Sequence, residues 1–562
     1  MNLRVSKKHI TIITMAIVAL TVAVYTIVNR QDRTINIEDG TIPLGAEFIP
    51  AKDAGMVAGD KSAAPKNANQ LIKALNRYGT IIIDDSYYIS TPTEPLTTNM
   101  VEIIGAENGE LIFDNPANTR LFNPVQLESF ILKNVKVTNL SQEEELLIVY
   151  GKEKVESKVD VVNIEGCTFT GNISLYRHFG NPLLDPNSVD FGINEFIFTN
   201  NEVYNTKLSF ILLIDIPVNY CEISNNTIQN FMYTFLNLAI NNDNHFVDDL
   251  RKHIKYLKVE NNNVFCEDTW WGNTSSGSYY SFINYEGTEV LYNNNHVEGM
   301  KALSNIALYD AYLSAGIVNY TNNTWKNNIC FASDKLNNTL LKSKGGGGSL
   351  VRNYSNNTFI VEEDYAERIG QPKDNLFVYF ISLTRHADSY TIRNNIIDVY
   401  DLRLPASSLM ISNLFISENT IKARKSSGNL AIVRLNDEYP VNTIEIKGNL
   451  IEIGENYTSP FNLLKMVDNR VERTSNVKNV TISNNQVEAP ISYLFYTVLA
   501  DDLVFSDNKI IDVSDKFSNF AYKGSFNLSE SSGNSIMPED AFGFDDGRRV
   551  FGMNTQNGEV YE

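Results

Sequence analysis

Several short apolar runs in this sequence end in charged residues whose types suit acid/base work. Asp310, Asp334 and Glu286 close the runs "LSNIALYD", "CFASD" and "YYSFINYE", while Arg385, His386 and Arg434 stand in "VYFISLTRHAD" and "AIVRLND". Asp215 and Lys465 belong to two more runs of the same kind, "SFILLID" and "LLKMVD". Carboxylates set beside cationic groups can donate and accept protons, or abstract an acidic proton with the help of a bound calcium ion. Tyr285 and Tyr309 directly precede two of the carboxylates, and Trp270 and Trp271 stand together in the polar segment "DTWWGNTSSGSYY". Paired indoles there would be wasted as core and useful as a flat platform for a ring-shaped ligand. Strand ends also carry charge simply because they meet solvent, and that plainer reading stands beside the catalytic one.

Other chemistry finds little support. The six histidines (His9, His178, His245, His253, His296 and His386) include no pair with metal-ligand spacing, and no metal set is read from them. No Ser-His-Asp elbow and no phosphate-cradling glycine loop is present, and "KGGGGSL" at 344–350 has the composition of a flexible linker.

The elements that must position these residues are read from a repeat. "FIFTNNEVYN", "YCEISNNTIQN", "LKVENNNVFC" and "VNYTNNTWKNN" are near-copies, and aligning on the second residue of the pair gives Val135, Cys167, Asn201, Asn226, Asn262, Asn295, Asn323, Asn357, Asn395, Asn419, Asn449, Asn485, Asn508 and Asn534, at steps of 23 to 38 residues. Self-similarity at such steps marks a solenoid. The flanking runs, such as "TIEIKGNLIEI" and "VTISNNQVEA", alternate with period two, which means strands rather than helices. Two strands joined by two residues describe a sharp corner, where one residue adopts the left-handed conformation that Asn tolerates and Gly adopts freely. With coils stacked about 4.8 Å apart, the amides can hydrogen-bond as a ladder. The many N-x-S/T matches follow from this repeat and carry little weight as glycosylation sites.

The chain has 562 residues, of which 43% are hydrophobic and 20% charged, enough apolar content for a large core and too much for disorder. Its net charge of -20 repels a phosphate backbone, so nucleic acid is not expected as a partner. Residues 10–28, "ITIITMAIVALTVAVYTIV", carry no charge and would form about 28 Å of helix, near the roughly 30 Å of a bilayer core. Arg4, Lys7 and Lys8 precede them, which places the N-terminus in the cytoplasm and the rest outside, periplasmic or extracellular. The rival reading is a cleaved signal peptide with a small-residue site at Thr21-Val22-Ala23, which would make the protein secreted. Cys167, Cys221, Cys266 and Cys330 form no C-x-x-C pair and read as buried thiols, with disulfides as the alternative in an exported chain.

These features resemble the right-handed parallel β-helix proteins of the pectate-lyase-like superfamily. The repeat covers roughly residues 101–536. The leading segment at 51–90 also resembles that family's start: a turn at Gly59-Asp60, an amphipathic helix through Leu71, Ile72 and Leu75, the strand "TIIID", then a "YYIS" turn. The resemblance implies an all-β fold, a single right-handed parallel β-helix of about 14 or more coils with a capping helix, preceded by one transmembrane helix. The expected divisions are a cytoplasmic segment 1–9, a membrane span 10–28, a linker 29–50, the β-helix 51–537 and a cap or tail 538–562.

The family's members are mostly polysaccharide lyases, hydrolases and epimerases, with some adhesins and tailspikes, and the fold alone does not choose among them. Of the galacturonase-type motifs only Asp-Asp appears, at Asp84-Asp85, Asp248-Asp249, Asp501-Asp502 and Asp545-Asp546. Of the pectate-lyase Arg-x-Pro-x-x-Arg motif, "RLPASS" keeps Arg403 and lacks the second Arg. The strand preceding each corner strand is expected to form one broad face carrying Asp310, Asp334, Glu286, Arg385, His386 and Arg434 as catalytic groups, with Trp270, Trp271, Tyr285 and Tyr309 binding substrate. The leading expectation is a membrane-anchored cell-envelope protein acting on polysaccharide by lyase or hydrolase chemistry, with Ca2+ as a candidate cofactor. The alternative is a non-catalytic carbohydrate-binding or surface structural protein.

Overall fold

The computed structural model describes residues 48–115, 119–124, 126–141, 143–151, 158–179, 192–207, 209–214, 216–231, 234–239, 254–268, 281–285, 289–299, 308–310, 316–327, 333–334, 350–370, 377–379, 382–383, 386–403, 410–426, 431–436, 441–457, 461–467, 477–491, 493–496, 498–514, 519–522, 525–537, 544–545, 554–556 and 559–561. Among them no helix is long and apolar enough to cross a membrane, and the expected span at 10–28 lies outside the described residues.

One coil shows how the sequence builds the rest. Val218–Ser224 alternates apolar and polar residues and forms a strand; Asn225 takes φ 57°, Asn226 is buried, and the chain turns into the strand Thr227–Phe231. A second turn through Asn230, also at φ 57°, leads to the third strand, Thr234–Ala239. Strands of the first kind pair in parallel with their counterparts on neighbouring coils, making a 17-stranded first sheet, and strands of the second kind make an equally large second sheet. The third position is split. Early coils contribute to a 9-stranded sheet and later coils to a separate 5-stranded one, so the single broad face expected from sequence is two sheets. The fold is a parallel β-helix.

The expected ladder is present and is more fully bonded than a simple stack. Each corner asparagine from Asn201 to Asn508 donates one N–H to the side-chain oxygen of its counterpart on the next coil, as Asn323 does to Asn357 (3.0 Å) and Asn357 to Asn395 (2.9 Å). The second N–H reaches a carbonyl of the preceding coil: Asn357 to Tyr320 at 3.0 Å. The Oδ1 accepts a backbone N–H as well, so the buried amide has no idle donor. The left-handed residue is the first of each pair, most often Asn, but Gly166, Gly448, Glu418 and Asp507 also serve. Cys167 takes the asparagine's place on an early coil, and its thiol reaches the Leu132 carbonyl at 3.4 Å, the one donor it can offer.

Inward positions of the first sheet stack as Phe196, Cys221, Leu257, Val290, Val318, Arg352, Tyr390 and Leu414. Beside them Tyr292, Tyr320 and Tyr354 form an internal aromatic column, the last two stacked with ring centroids 4.6 Å apart and planes nearly parallel. Cys167, Cys221 and Cys266 are free and buried. At the N-terminal end the helix Ala64–Tyr78 lays Leu71, Ile72 and Leu75 on the core and stops at Gly79, which has φ 76°. The first half of the "YYIS" segment is strand: Ser86–Tyr88 pairs with Glu110, Leu111 and Ile112 and starts the second sheet, and the strand ends before Ile89 and Ser90. In the tail, Phe544–Asp545 still pairs within the 5-stranded sheet, and Asn554–Gln556 forms an antiparallel pair with Glu559–Tyr561.

Candidate functional site

The register gathers some of the expected residues and separates others. Tyr285 is the partner of Asp310, and Asp310 of Asp334, on three successive coils of the 9-stranded sheet, with Tyr309 opposite Asn284. Strand spacing sets their backbones about 4.8 Å apart. Asp334 faces Leu383 on the next coil, and His386, three residues farther on, opens the first-sheet strand His386–Arg393. The run "VYFISLTRHAD" is therefore not one strand. It contributes to the second sheet at Phe377–Tyr379, the 9-stranded sheet at Ser382–Leu383 and the first sheet from His386. Arg434 lies on the 5-stranded sheet opposite Lys465 and is not brought to Asp310 and Asp334 by register. Glu286, Arg385, Trp270 and Trp271 lie outside the described residues, as do the side chains of Tyr285, Tyr309, Asp310, Asp334, His386 and Arg434.

Where side chains are described, the groove with a converging set of charges is on the outer face of the second sheet. Its lining residues Asp398, Lys422, Glu452 and Glu488 are register partners on four successive coils. The depression has a local cause. Between Ala423 and Lys425 one strand advances by two residues while its neighbour advances by three, from Ile453 to Asn456, a bulge that bends the later strand. Gly454 sits at that bulge against Arg424: a Cβ there would lie 2.5 Å from the Arg424 carbonyl oxygen. The resulting groove has a volume of about 500 Å3 and is also lined by Arg424 and Ile453.

Two ion pairs brace it. Lys422 Nζ lies 2.8 Å from Glu452 Oε2, and Arg424 Nη1 donates to Asp398 Oδ1 at 2.7 Å and to the Val399 carbonyl at 3.2 Å. The Lys422 ammonium is held above its ordinary pKa by the Glu452 carboxylate. Glu488 is exposed and, among the described residues, forms no ion pair. Tyr400, half-buried, comes opposite Arg424 because Val399 and Asp401 pair with Ala423 and Lys425 on either side.

These lining residues were missed because no charge at them breaks the alternation of their strands. A positional signal was available all the same. Asp398, Lys422, Glu452 and Glu488 each stand three residues after a ladder asparagine (Asn395, Asn419, Asn449 and Asn485), and equal offsets from a fixed corner stack in one column.

Earlier in that column the charges form a closed network. Lys326 bridges Glu298 (3.0 Å) and Glu362 (3.1 Å), and Arg368, from the short helix Tyr365–Arg368, binds Asp268, Glu362 and Asp364 at 2.8 to 2.9 Å. Glu362 is pulled down to about 2, first by the Asn327 amide and then by Lys326 and Arg368 against the opposing effect of burial. Its cations and carboxylates satisfy one another, so it braces the second turn rather than presenting free groups. Among the described residues no three His, Cys, Asp or Glu side chains converge to hold a metal ion.

No protein-family model matches the chain, and no curated protein matches it. Among solved structures it is similar to the crystal structure of the catalytic unit of a thermostable GH87 alpha-1,3-glucanase from Streptomyces thermodiastaticus strain HF3-3. The sequence identity is 13% and the TM-score 0.25, over 91% of this chain and 72% of the other.

Proposed function

We propose that this protein is a polysaccharide-acting β-helix of the pectate-lyase-like kind, held at the outer side of a membrane by residues 10–28, and that its working site is the groove over the second sheet. The observation that carries this reading is the register of Glu452 with Glu488 in that groove. Adjacent coils set the backbones of the two glutamates about 4.8 Å apart, which lets their carboxyl groups reach the roughly 5 Å separation used by a double-displacement glycosidase. Their surroundings give them different roles. Glu452, ion-paired with Lys422, would attack the anomeric carbon as the glycosidic C–O bond breaks, and Glu488, once protonated, would give that proton to the leaving oxygen. Water then adds its hydroxyl to the anomeric carbon, releases Glu452, and returns a proton to Glu488. Asp310 and Asp334, on adjacent coils of another sheet, form a second carboxylate pair of the same register type and remain a proposed alternative centre.

The test incubates the full-length protein with acidic and neutral polysaccharides, with and without calcium, and follows reducing ends together with the absorbance of the unsaturated uronate that β-elimination leaves. New reducing ends without that absorbance, lost in Glu452→Gln and retained in Asp310→Asn, support the groove as a hydrolase site. Absorbance would replace hydrolysis by elimination. A polymer retained on the protein but never cut would make the β-helix a binding platform.

A further inference from the structure

Resting on the reading of the groove as a glycan site, we propose that it selects sugars bearing protonated amines, that is, a hexosamine polymer with free amino groups. Three carboxylates line the groove against two cations, and both cations are already committed: Lys422 to Glu452, and Arg424 to Asp398 and the Val399 carbonyl. The charge left available to a ligand is the Glu488 carboxylate, which projects from the coil beyond Glu452. On its other side stands Ile511, which brings no counter-charge.

A uronic acid entering here meets like charge at Glu488 and can bind a cation only by displacing an ion pair. A neutral sugar gains only hydrogen bonds. An ammonium on the sugar ring gains a charge-assisted hydrogen bond from its own N–H to Glu488. The net charge of -20 works in the same direction over longer range, drawing polycations and repelling polyanions. Successive coils repeat at about 4.8 Å, close to the length of one pyranose unit, so a chain lying along the column meets Asp398, Glu452 and Glu488 in turn.

The experiment is calorimetric titration of the full-length protein with three oligosaccharides of equal length: glucosamine, N-acetylglucosamine and galacturonate. The glucosamine oligomer is expected to bind up to about fivefold more tightly than its acetylated form, as for one exposed charge pair. That advantage should shrink with added salt and vanish in Glu488→Gln, which should bind the glucosamine and N-acetylglucosamine oligomers equally. Equal affinities, a preference for galacturonate, or an advantage that survives in Glu488→Gln would overturn the amine preference while leaving the groove a glycan site. Failure of all three oligomers to bind would overturn both the preference and the groove's assignment.

Discussion

The inner and outer columns of the same strands obey different rules. At the first corner the inner position is asparagine on twelve coils from Asn201 to Asn534, because a buried amide there must meet the same partners each time. Three residues later, on the outer face, the series runs Glu298, Lys326, Ile360, Asp398, Lys422, Glu452, Glu488 and Ile511. Neighbouring coils hold both columns in register, yet only one is constrained in type. Burial makes an unmet hydrogen bond costly, and exposure lets water substitute for any partner. The outer column is thus the place where chemistry can change without loss of the fold.

The sharpest way to break that contrast is Asn357→Ala. It leaves the Asn323 backbone N–H and side-chain N–H and the Tyr320 carbonyl without their partners, all inside the coil. Denaturant unfolding should show a loss of about 4 kcal/mol, near the sum of the separate penalties. A loss below about 1 kcal/mol would mean that water enters the ladder.

Next in size is an acid effect from the interior. His178 is buried, with Nδ1 3.2 Å from the Tyr176 hydroxyl and its ring against Gly151, where a Cβ would lie 2.8 Å from Cδ2. Burial lowers its pKa from 6.5 to about 4. The unfolded chain therefore binds a proton that the folded one refuses, so stability falls as pH drops below 6.5 and levels off below about 4. The wild type should lose roughly 3 kcal/mol across that window relative to His178→Leu. Parallel stability curves for the two proteins would place the histidine in water.

Physical constraint also decided what the sequence made legible. The ladder could be read because a left-handed residue followed by a buried amide leaves few choices. The capping helix could be read because Leu71, Ile72 and Leu75 share one face. The second turn was overlooked although Asn205, Asn230 and Asn327 repeat the same left-handed solution. The groove was not legible for a different reason. It depends on one extra residue between Ile453 and Asn456, and an insertion of one residue in an alternating run leaves little trace in "IEIGEN". Asp310 and Asp334 were singled out by residue type alone, and the register sets them on adjacent coils with Arg434 on another sheet.

Gly454 lies between the two regimes, exposed in part but pressed on backbone. Gly454→Ala should cost about 2 kcal/mol, because a fixed carbonyl cannot yield as a side chain would. It should also weaken glycan binding by flattening the groove. A stable variant with unchanged binding would mean that the bulge relaxes without cost and does not shape the site.

The smallest expected effect is the most informative. Glu488→Gln alters an exposed side chain with no ion pair among the described residues, so its unfolding free energy should stay within about 0.5 kcal/mol of wild type. If the outer column is free of structural duty, the same substitution should change ligand selection while the melting transition stays in place. A loss of stability comparable with that of Asn357→Ala would remove the distinction between the columns, since the outer charges would then be holding coils together. A silent result in both stability and binding would assign Glu488 to solvent and move the search for the site to Asp310 and Asp334.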